Sequence, residues 1–559
     1  VRTNETKRQY HDRRLNALKS MRNPWEAHWL ELSEYTAPSR LRLLIRENEG
    51  RPSRKKIVDS TGSFALRTLA SGMHSGITSP ARPWFRLTTF DPDLKDFAPI
   101  KQYLAQVETR MREVFQASNI YNAFHTGYGD LGLFGQSCSL LVEDEDSVIR
   151  MIPLLHGSFW LARDHRGRAT TLYRQFEWTV EKIVARFGYD KCSNTIKNCY
   201  DKGDYDERFV INHAVEPRME RDPSKIDKRN KPFLSNYWED GGPRGGDLLE
   251  ESGFDSNPIV APPWELVAED SYGISPGMDA LPDVKMLQVM QLRAGEAIEK
   301  KVRPPMTGPI SMKNNPASLM PGSVTYVDDP TGRAYRPAIE VNLSLTELEH
   351  KIGEANRRIE RAYYADLFLM LANMEGIQPR NTFEIAERKE EKLLALGPVL
   401  ENIYNNQLAP TIDRTFEIMN TRGMLPPPPE ELQGTELKIE YISMLAQAQK
   451  AVSTGSIERL FSFVGNLAAA NPNVLDKIDM DEGVDIYGDL LGAPPALIVP
   501  DDDVAALRQQ RAQQAQAAAQ AQAAAQAAPA MKQTAEAARV LSETDDGNGQ
   551  SLLNRLGLS

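Results

Sequence analysis

The 559-residue chain is short of several things, and each shortage narrows what it does. It has three cysteines, Cys138, Cys192 and Cys199, and no CxxC pair. Neither a disulfide framework nor a zinc site is supported, and a reducing site of synthesis is expected. No run approaches the ~18 to 20 apolar residues that a membrane-spanning helix needs. The first residues, VRTNETKRQYHDRR, carry charge without an apolar signal core behind it, so a protein that is soluble and intracellular when made is expected. Positive charge is scarce too: 66 basic against 77 acidic side chains leave a net charge of -11. That excess argues against a protein whose main task is gripping phosphates, while transient contact with nucleic acid stays compatible with it.

Catalytic signatures are equally sparse. No GxxxxGK[ST] phosphate loop occurs, which argues against an ATP-driven motor, and HExxH and GxSxG are also missing. The eight histidines do not cluster at ligand spacing. Asp164-His165, within RDHRGR, reads as a polar turn. The runs EDED (143–146) and ERKEEK (387–392) read as solvated faces, because consecutive carboxylates on a strand end or helix point in different directions. Trp84 and Phe85 in ARPWFRL border a short apolar strand and read as core or interface rather than as base-stacking residues. No catalytic residue, metal ligand or cofactor is expected.

What is present is a long, largely helical chain, 41% apolar, with enough length for roughly two to four structural units. The expected fold class is mainly α with small β-sheets inserted, α+β. Asn23, Pro24 and Glu26 suggest a capping box opening a first helix that Pro38 closes, with Trp25, Trp29 and Leu32 on one face. DSTGSFALRTLASGMHSG follows as a helix rich in Ala, Ser and Gly, permitting close backbone approach. A third helix is expected over 98–117, with Ile100, Leu104, Val107, Met111 and Val114 at spacings of three and four. From Cys138 to Trp178 the period changes to short β-prone runs, and RFVINHAV, PFLSNYW and NPIVAPPW continue them.

Two long helices then enclose a forty-residue excursion. In PDVKMLQVMQLRAGEAIEKKV, Val284, Leu287, Met290, Ala294, Ile298 and Val302 form one stripe, widened by Met286 and Val289. In the second, Leu345, Leu348, Ile352, Ala355, Ile359, Ala362 and Met370 repeat at heptad-like steps, with Ser344 and Glu347 as a capping box. The helices should span roughly 30 and 40 Å. The excursion between them, rich in proline, glycine and asparagine, lacks an apolar face of its own and is expected to complete itself against other copies of the chain. After the loop NMEGIQPRNT (373–382) a third long helix is expected from near Phe383, interrupted at Gly397-Pro398, kinked at Pro410 and ending at Gly423. Near the C-terminus an Ala/Gln tract preceded by three aspartates should be a helical rod of about 40 Å, and the last twenty residues should be disordered.

DSTGSFALRTLASGMHSGITSPARPWFRL, YGISPGMDALPDVKMLQ and FEIMNTRGMLPPPP, in that order, resemble blocks of the portal protein, or head-to-tail connector, of short-tailed double-stranded DNA bacteriophages. The resemblance covers about residues 7–510. It implies a wing over 1–281, stem helices at 282–302 and 344–372, and a clip at 303–343 between them. It further implies a channel loop at 373–382, a kinked wing helix with a return strand at 383–443, a crown at 444–530 that includes the Ala/Gln helix, and a flexible tail at 531–559. It implies a homo-oligomeric ring, commonly of twelve subunits, at one capsid vertex in the virion. Double-stranded DNA would pass through it without sequence readout. The major capsid protein, the packaging ATPase (terminase) and a tail adaptor would be its partners, with no membrane involved. The protein would be made in the host bacterial cytoplasm.

On that reading Asn373, Gln378 and Arg380 are channel-loop candidates, and Glu296, Glu299, Lys300, Glu349 and Glu354 are channel-lining candidates on the stem. Leu287, Ile298, Leu345, Leu348, Ile352 and Ile359 are expected to pack the stem, and Met312, Lys313 and Asn315 to serve docking at the clip. A mixed lining suits passage, because each stable ion pair with phosphate would be a barrier to sliding. The competing readings are a filamentous scaffold or tail adaptor and a ring-shaped nucleic-acid enzyme.

Overall fold

The computed structural model describes residues 5–43, 56–91, 94, 97–225, 227–241, 248–302, 306–307, 336–337, 345–372, 396–432, 437–442, 457, 460–467, 477–491, 499 and 501–543. It divides into two compact units, one of Val1–Phe90 with Gln102–Val452, the other of Asp91–Lys101 with Ser453–Ser559.

The first unit opens on helix α1 (Lys7–Thr36). Its cap is Thr6, whose hydroxyl accepts from the Gln9 amide at 3.3 Å while the Gln9 side chain accepts from the Thr6 amide at 3.0 Å. The capping box expected at Asn23 is therefore not the helix start, and Pro24 lies inside the helix. An interior proline costs about 3 kcal/mol. Burial on both sides of it offsets that cost, with Leu15, Leu18, Trp29 and Leu32 all less than 5% exposed.

Helices α2 (Thr61–Ile77), α3 (Ala98–Ala117) and α4 (Ile120–Phe134) follow, with strand β1 (Phe85–Thr89) between the first two. Strands β2 (Ser139–Asp144), β3 (Val148–Pro153), β4 (Phe159–Arg163) and β5 (Ala169–Thr179) match the expected change of period. Two short helices, α5 (Val180–Phe187) and α6 (Asn194–Lys202), lead to β6 (Arg208–Pro217), β7 (Phe233–Glu239), β8 (Glu250–Phe254) and β9 (Ile259–Val260). The strands form an antiparallel five-stranded sheet in the order β4-β5-β6-β7-β8 and a three-stranded sheet β3-β2-β9.

Alternation along β6 sends Ala214 to one face of the larger sheet and Ile211 to the other. Leu15 and Leu18 of α1 meet Ala214, Trp160, Tyr173 and Trp238 on the first face. Val180, Ile183 and Phe187 of α5 with Ile196 of α6 cover Ile211 on the second. Cys138 and Cys192 are buried, and all three cysteines are free.

Buried guanidiniums bind the pieces through carbonyls. Arg22 donates to Gly157 O and Phe159 O at 2.7 Å each and lies 4.3 Å over Trp160. Arg163 donates to Gln136 Oε1, Ser271 O and Gly167 O, and burial pushes its pKa down to about 10. Arg414 holds Leu141 O and Ser256 O. Asp164 accepts from the amides of Arg166 and Arg168, so RDHRGR is the expected polar turn. Trp84 and Phe85 are buried core residues.

Further along, α7 (Pro276–Val302), α8 (Leu345–Ala362) and α9 (Ala365–Ala372) are followed by α10 (Gly397–Ile403), a π-helical turn at Tyr404–Leu408, and α11 (Ala409–Thr421). In place of a bare kink at Pro410, the extra residue of the π turn makes room for the proline ring. The Gln407 carbonyl accepts from the Thr411 hydroxyl at 2.6 Å. Between α7 and α8 the described residues are two short strands, β10 (Met306–Thr307) and β11 (Arg336–Pro337), paired antiparallel. The return strand β12 (Leu437–Tyr441) pairs antiparallel with β1.

In the second unit, α12 (Met480–Leu491) is held to α13 (Asp501–Glu543) by the two-pronged pair Arg508–Asp481, at 2.6 and 2.8 Å. At 43 residues α13 spans about 65 Å and runs through 531–543, where a flexible tail was expected to begin. It continues past Pro529 through MKQTAEAARVLSE, which is rich in good helix formers. Of the last twenty residues, expected to be disordered, 540–543 close this helix and the rest lie outside the described residues.

Three histidines are buried in the first unit: His11, His156 and His213. His156 stacks on Phe134 at 4.2 Å and meets Trp29 edge-on at 4.3 Å, and neither ring nitrogen has a hydrogen-bond partner. Burial holds His11 down to about 4 and pushes His156 and His213 well below their ordinary range. A depressed histidine pKa means that the unfolded chain takes up the proton first. Stability is therefore complete above about pH 6.5 and falls below it, by about 1.4 kcal/mol per pH unit for each such histidine. Asp130, raised by burial to about 6 beside Arg40, partly offsets this. His156→Phe should flatten the acid branch: its urea midpoint should match the parent at pH 7.5 and exceed it at pH 5.5.

Candidate functional site

Helices α7 and α8, expected as the stem, and their footing on α2 form the site the sequence pointed to. Helix α7 starts at Pro276, not at Pro282, with Pro276 as the proline at the first helical position and Pro282 inside the helix. Ser275 is the anchor: its hydroxyl accepts from the Met278 amide at 3.1 Å and donates to Leu133 O at 2.8 Å. Gln288, 4% exposed, fixes the helix laterally. Its Oε1 accepts from the amides of Val58 and Asp59 at 2.6 and 2.7 Å, and its Nε2 donates to Asp59 O at 2.9 Å. Asp59 in turn accepts from the Thr61 amide at 2.8 Å and from Gln291 at 3.0 Å, so one carboxylate caps α2 and ties it to α7. Sequence reasoning missed Gln288 and Asp59; the signal was a glutamine beside the apolar stripe and an aspartate just ahead of a helix.

Helix α8 runs alongside α7, and Arg358 crosses to Asp283 at 3.0 Å. The Lys285 ammonium meets the Glu31 carboxylate of α1. The expected unbroken second helix is interrupted at Tyr363–Tyr364, where Tyr364 takes φ +54 before α9 begins. The left-handed turn lets Phe368 descend onto α2, where a Cβ on Gly72 would lie 2.2 Å from the Phe368 ring.

The expected packing residues separate into two groups. Leu287 and Ile359 are fully buried, and Leu348 and Ile352 are half-buried. Ile298 is 49% exposed and only partly covered within the subunit, beyond the last buried residue of α7, Gln288. Leu345 opens α8. Met286, Val289 and Leu292, at steps of three, form a second exposed apolar line on α7, whereas Glu349, Lys351, Arg357, Glu360 and Arg361 make the exposed side of α8 polar.

Of the expected lining residues, Glu296 is paired with Arg293 at 2.6 Å. Glu354 meets Lys351 at 3.3 Å and His350 at 3.4 Å, and the hydrogen bond from Lys351 holds its carboxyl below the usual range. Glu299, Lys300 and Glu349 are exposed and carry no ion pair among the described residues. The loop candidates Asn373, Gln378 and Arg380 and the clip candidates Met312, Lys313 and Asn315 lie outside the described residues, as does Ser344. Among the described residues no group of His, Cys, Asp and Glu could hold a metal ion, and no helix is long and apolar enough to cross a membrane.

The family model for bacteriophage head to tail connecting proteins matches residues 8–499. The chain belongs to that family. It is 46% identical over 543 residues to a probable portal protein of Bordetella phage BPP-1, covering 96% of each chain. It is 44% identical over 552 residues to the portal protein of Salmonella phage epsilon15, covering 98% of each. Against a chain from the neck of an empty gene transfer agent particle the TM-score is 0.33 at 12% identity, over 73% of this chain and 86% of that one, too low to argue a shared fold.

For this head-to-tail connecting protein, stem burial sets a clear order of sensitivities. Ile359→Ala should lower the stability of the isolated subunit by ~2 to 5 kcal/mol. Ile298→Ala should change it by less than about 0.5 kcal/mol, as for other exposed sites. Gly72→Ala should cost ~1 to 3 kcal/mol by forcing Phe368 off α2. Urea unfolding of the three variants checks the ranking; an equal loss at Ile298 would contradict it.

Proposed function

We propose that this chain is the portal of a phage head: a closed ring, commonly of twelve copies, at one capsid vertex. Double-stranded DNA enters and leaves the capsid through it, and the packaging ATPase and then a tail adaptor dock on it. The observation that carries the reading is the unlikeness of the two stem helices. On α7 the exposed line Met286, Val289 and Leu292, together with Ile298 and Val302 exposed on another face nearer the helix end, calls for protein cover, since several large apolar side chains in water are unfavourable at about 25 cal/mol per Å². On α8 the exposed side is charged and suits water. A wall of repeated helix pairs satisfies both, with α7 against neighbouring subunits and α8 wet.

In this ring the wall offers Glu299, Lys300 and Glu349 to the channel, while Glu296 and Glu354 are already neutralised within their own helices. DNA then meets mixed, weakly binding charge, which permits sliding in both directions. Arg380, in the loop joining the second stem helix to the next, supplies one cation per subunit at the narrowest part, with Asn373 and Gln378 as polar neighbours. Rapidly exchanged phosphate contacts there would centre the duplex without arresting it. Met312, Lys313 and Asn315 present the docking surface of the clip, with the wing meeting the major capsid protein.

End-on electron micrographs of the full-length chain should show closed rings with a central hole; filaments would favour the scaffold reading instead. Heads assembled with Arg380→Ala should retain DNA less well and package shorter genomes. Deletion of residues 312–321 should leave the wing folded and abolish adaptor capture. Wild-type retention together with wild-type capture would remove the loop and the clip from these roles.

A further inference from the structure

The β2–β3 hairpin carries opposite charge at its two ends. At the turn, Asp144 is consumed in shaping the bend: it accepts from the Ser147 amide at 3.0 Å and hydroxyl at 2.8 Å, and from Arg150 at 3.2 Å. Those bonds hold its carboxyl down to about 2, and Val148 completes the turn at φ 67. Glu143 has Arg422 at 3.9 Å. Glu145 and Asp146, both exposed, are left at the tip with no ion pair among the described residues.

At the other end of the hairpin, roughly 20 Å along the strand, a groove of about 370 Å³ opens between the end of β3 and the last residues of β5. β5 continues there past Arg174, where its ladder with β4 stops. Arg42, Arg174 and Arg208 line the groove with a single carboxylate, Glu177; Arg208 and Glu177 are already engaged, so that the cations in excess are Arg42 and Arg174. Arg174 is held in place by its Nε, which donates to His213 Nδ1 at 3.0 Å, and by Phe176, whose ring it overlies at 4.8 Å. Its terminal nitrogens have no protein partner among the described residues. Ile152, Pro153 and Trp178 supply apolar walls that would raise the strength of any ion pair formed inside.

We propose that this groove receives the Glu145–Asp146 tip of the next copy of the chain, making a head-to-tail contact between wings. The occupant is chosen by charge complementarity. The groove gathers cations in a chain whose net charge is -11, and the tip is a pre-shaped pair of unpartnered carboxylates that it fits. The two patches sit at opposite ends of one rigid hairpin, so neither reaches the other within a subunit. A contact between two different patches repeats in one direction and generates a ring when the rotation closes. Bidentate guanidinium–carboxylate pairing would also fix the angle between neighbours, which a greasy stem contact alone would leave loose. The inference rests on the ring reading and names the contact that sets its geometry.

The test is a charge exchange in the full-length chain, followed by sedimentation velocity and end-on electron microscopy at low salt. The pair Arg42→Glu with Arg208→Glu, and separately the pair Glu145→Arg with Asp146→Arg, should each cut the ring fraction at least tenfold while circular dichroism and the thermal midpoint stay at the parent values. The four changes together should restore rings. Should the glutamate pair lower the thermal midpoint, Arg42→Gln with Arg208→Gln replaces it in the comparison, again with a loss of rings expected. Rings that form equally well in each pair variant, or a folded fourfold variant that does not recover them, overturn this contact alone. A parent chain that never closes rings overturns the ring reading itself.

Discussion

Close approach of backbones around α2 is the constraint on which the first unit depends. Its middle is Ala, Gly and Ser, and it touches α1, α4, α7, α8 and α9. Two of these contacts leave no room for another carbon. A Cβ on Gly72 would strike Phe368, and one on Gly132 of α4 would lie 2.5 Å from Leu69. Leu69 itself is fully buried. A helix this narrow lets five others converge at short axis separations, where dispersion and burial are largest per residue. Helices α7 and α8 are therefore mounted on a shared rod and inherit its position, through Asp59 and Gln288 on one side and Phe368 on the other.

Much of this was legible in the sequence because its causes are local. Small residues at repeated positions of α2, the change from helical to alternating period after Cys138, and the apolar stripes of α7 and α8 each reflect one element and its own pattern. The misses share a different cause. Pro24 and Pro282 read as helix starts by propensity, yet both sit inside helices because burial around them outweighs a lost hydrogen bond. Tyr364 carries no glycine or proline to announce a break, and the left-handed residue exists because Phe368 has a place to go on α2. Such choices are made by contacts across hundreds of residues, and a single helical window holds no trace of them. The short helices α5 and α6 were missed for the same reason. Of the candidate site residues, those whose role is burial could be read from period, as with Leu287 and Ile359, whereas Ile298 lies on the same stripe but past the last buried residue of α7.

The buried charges show how a chain with acidic excess still builds a well-tied first unit. Arg22, Arg163 and Arg414 are each sunk among backbone carbonyls and give up most of their hydration. A guanidinium can accept that environment because its planar donors satisfy several oxygens at once and because it keeps its proton even when burial lowers its pKa. Each one joins segments far apart in sequence: α1 to the β3–β4 connection, β4 to the approach to α7, α11 to β2. Cationic side chains are thus withdrawn from the surface for structural use, which deepens the acidic character of what remains outside.

That redistribution bears on how such a protein handles a polyanion. If basic residues were free along the stem, a duplex would settle on them, and every step of movement would have to break several charge-assisted bonds together. On α7 and α8 Arg293 is paired with Glu296, Lys351 with Glu354, and Arg358 with Asp283, while Lys300 carries no ion pair among the described residues. Pairs of this exposed kind contribute little to stability, with a median of about 0 to 1 kcal/mol. Their physical effect is to cancel positive potential where it would otherwise trap phosphate, leaving a surface that is well hydrated and nearly neutral over short distances. Over a Debye length of about 8 Å at physiological salt, such a surface repels and attracts a passing duplex by similar small amounts. In the ring proposed above, such a wall would set only a diameter, and resistance to backward slip would have to come from sparse contacts that form and break one at a time.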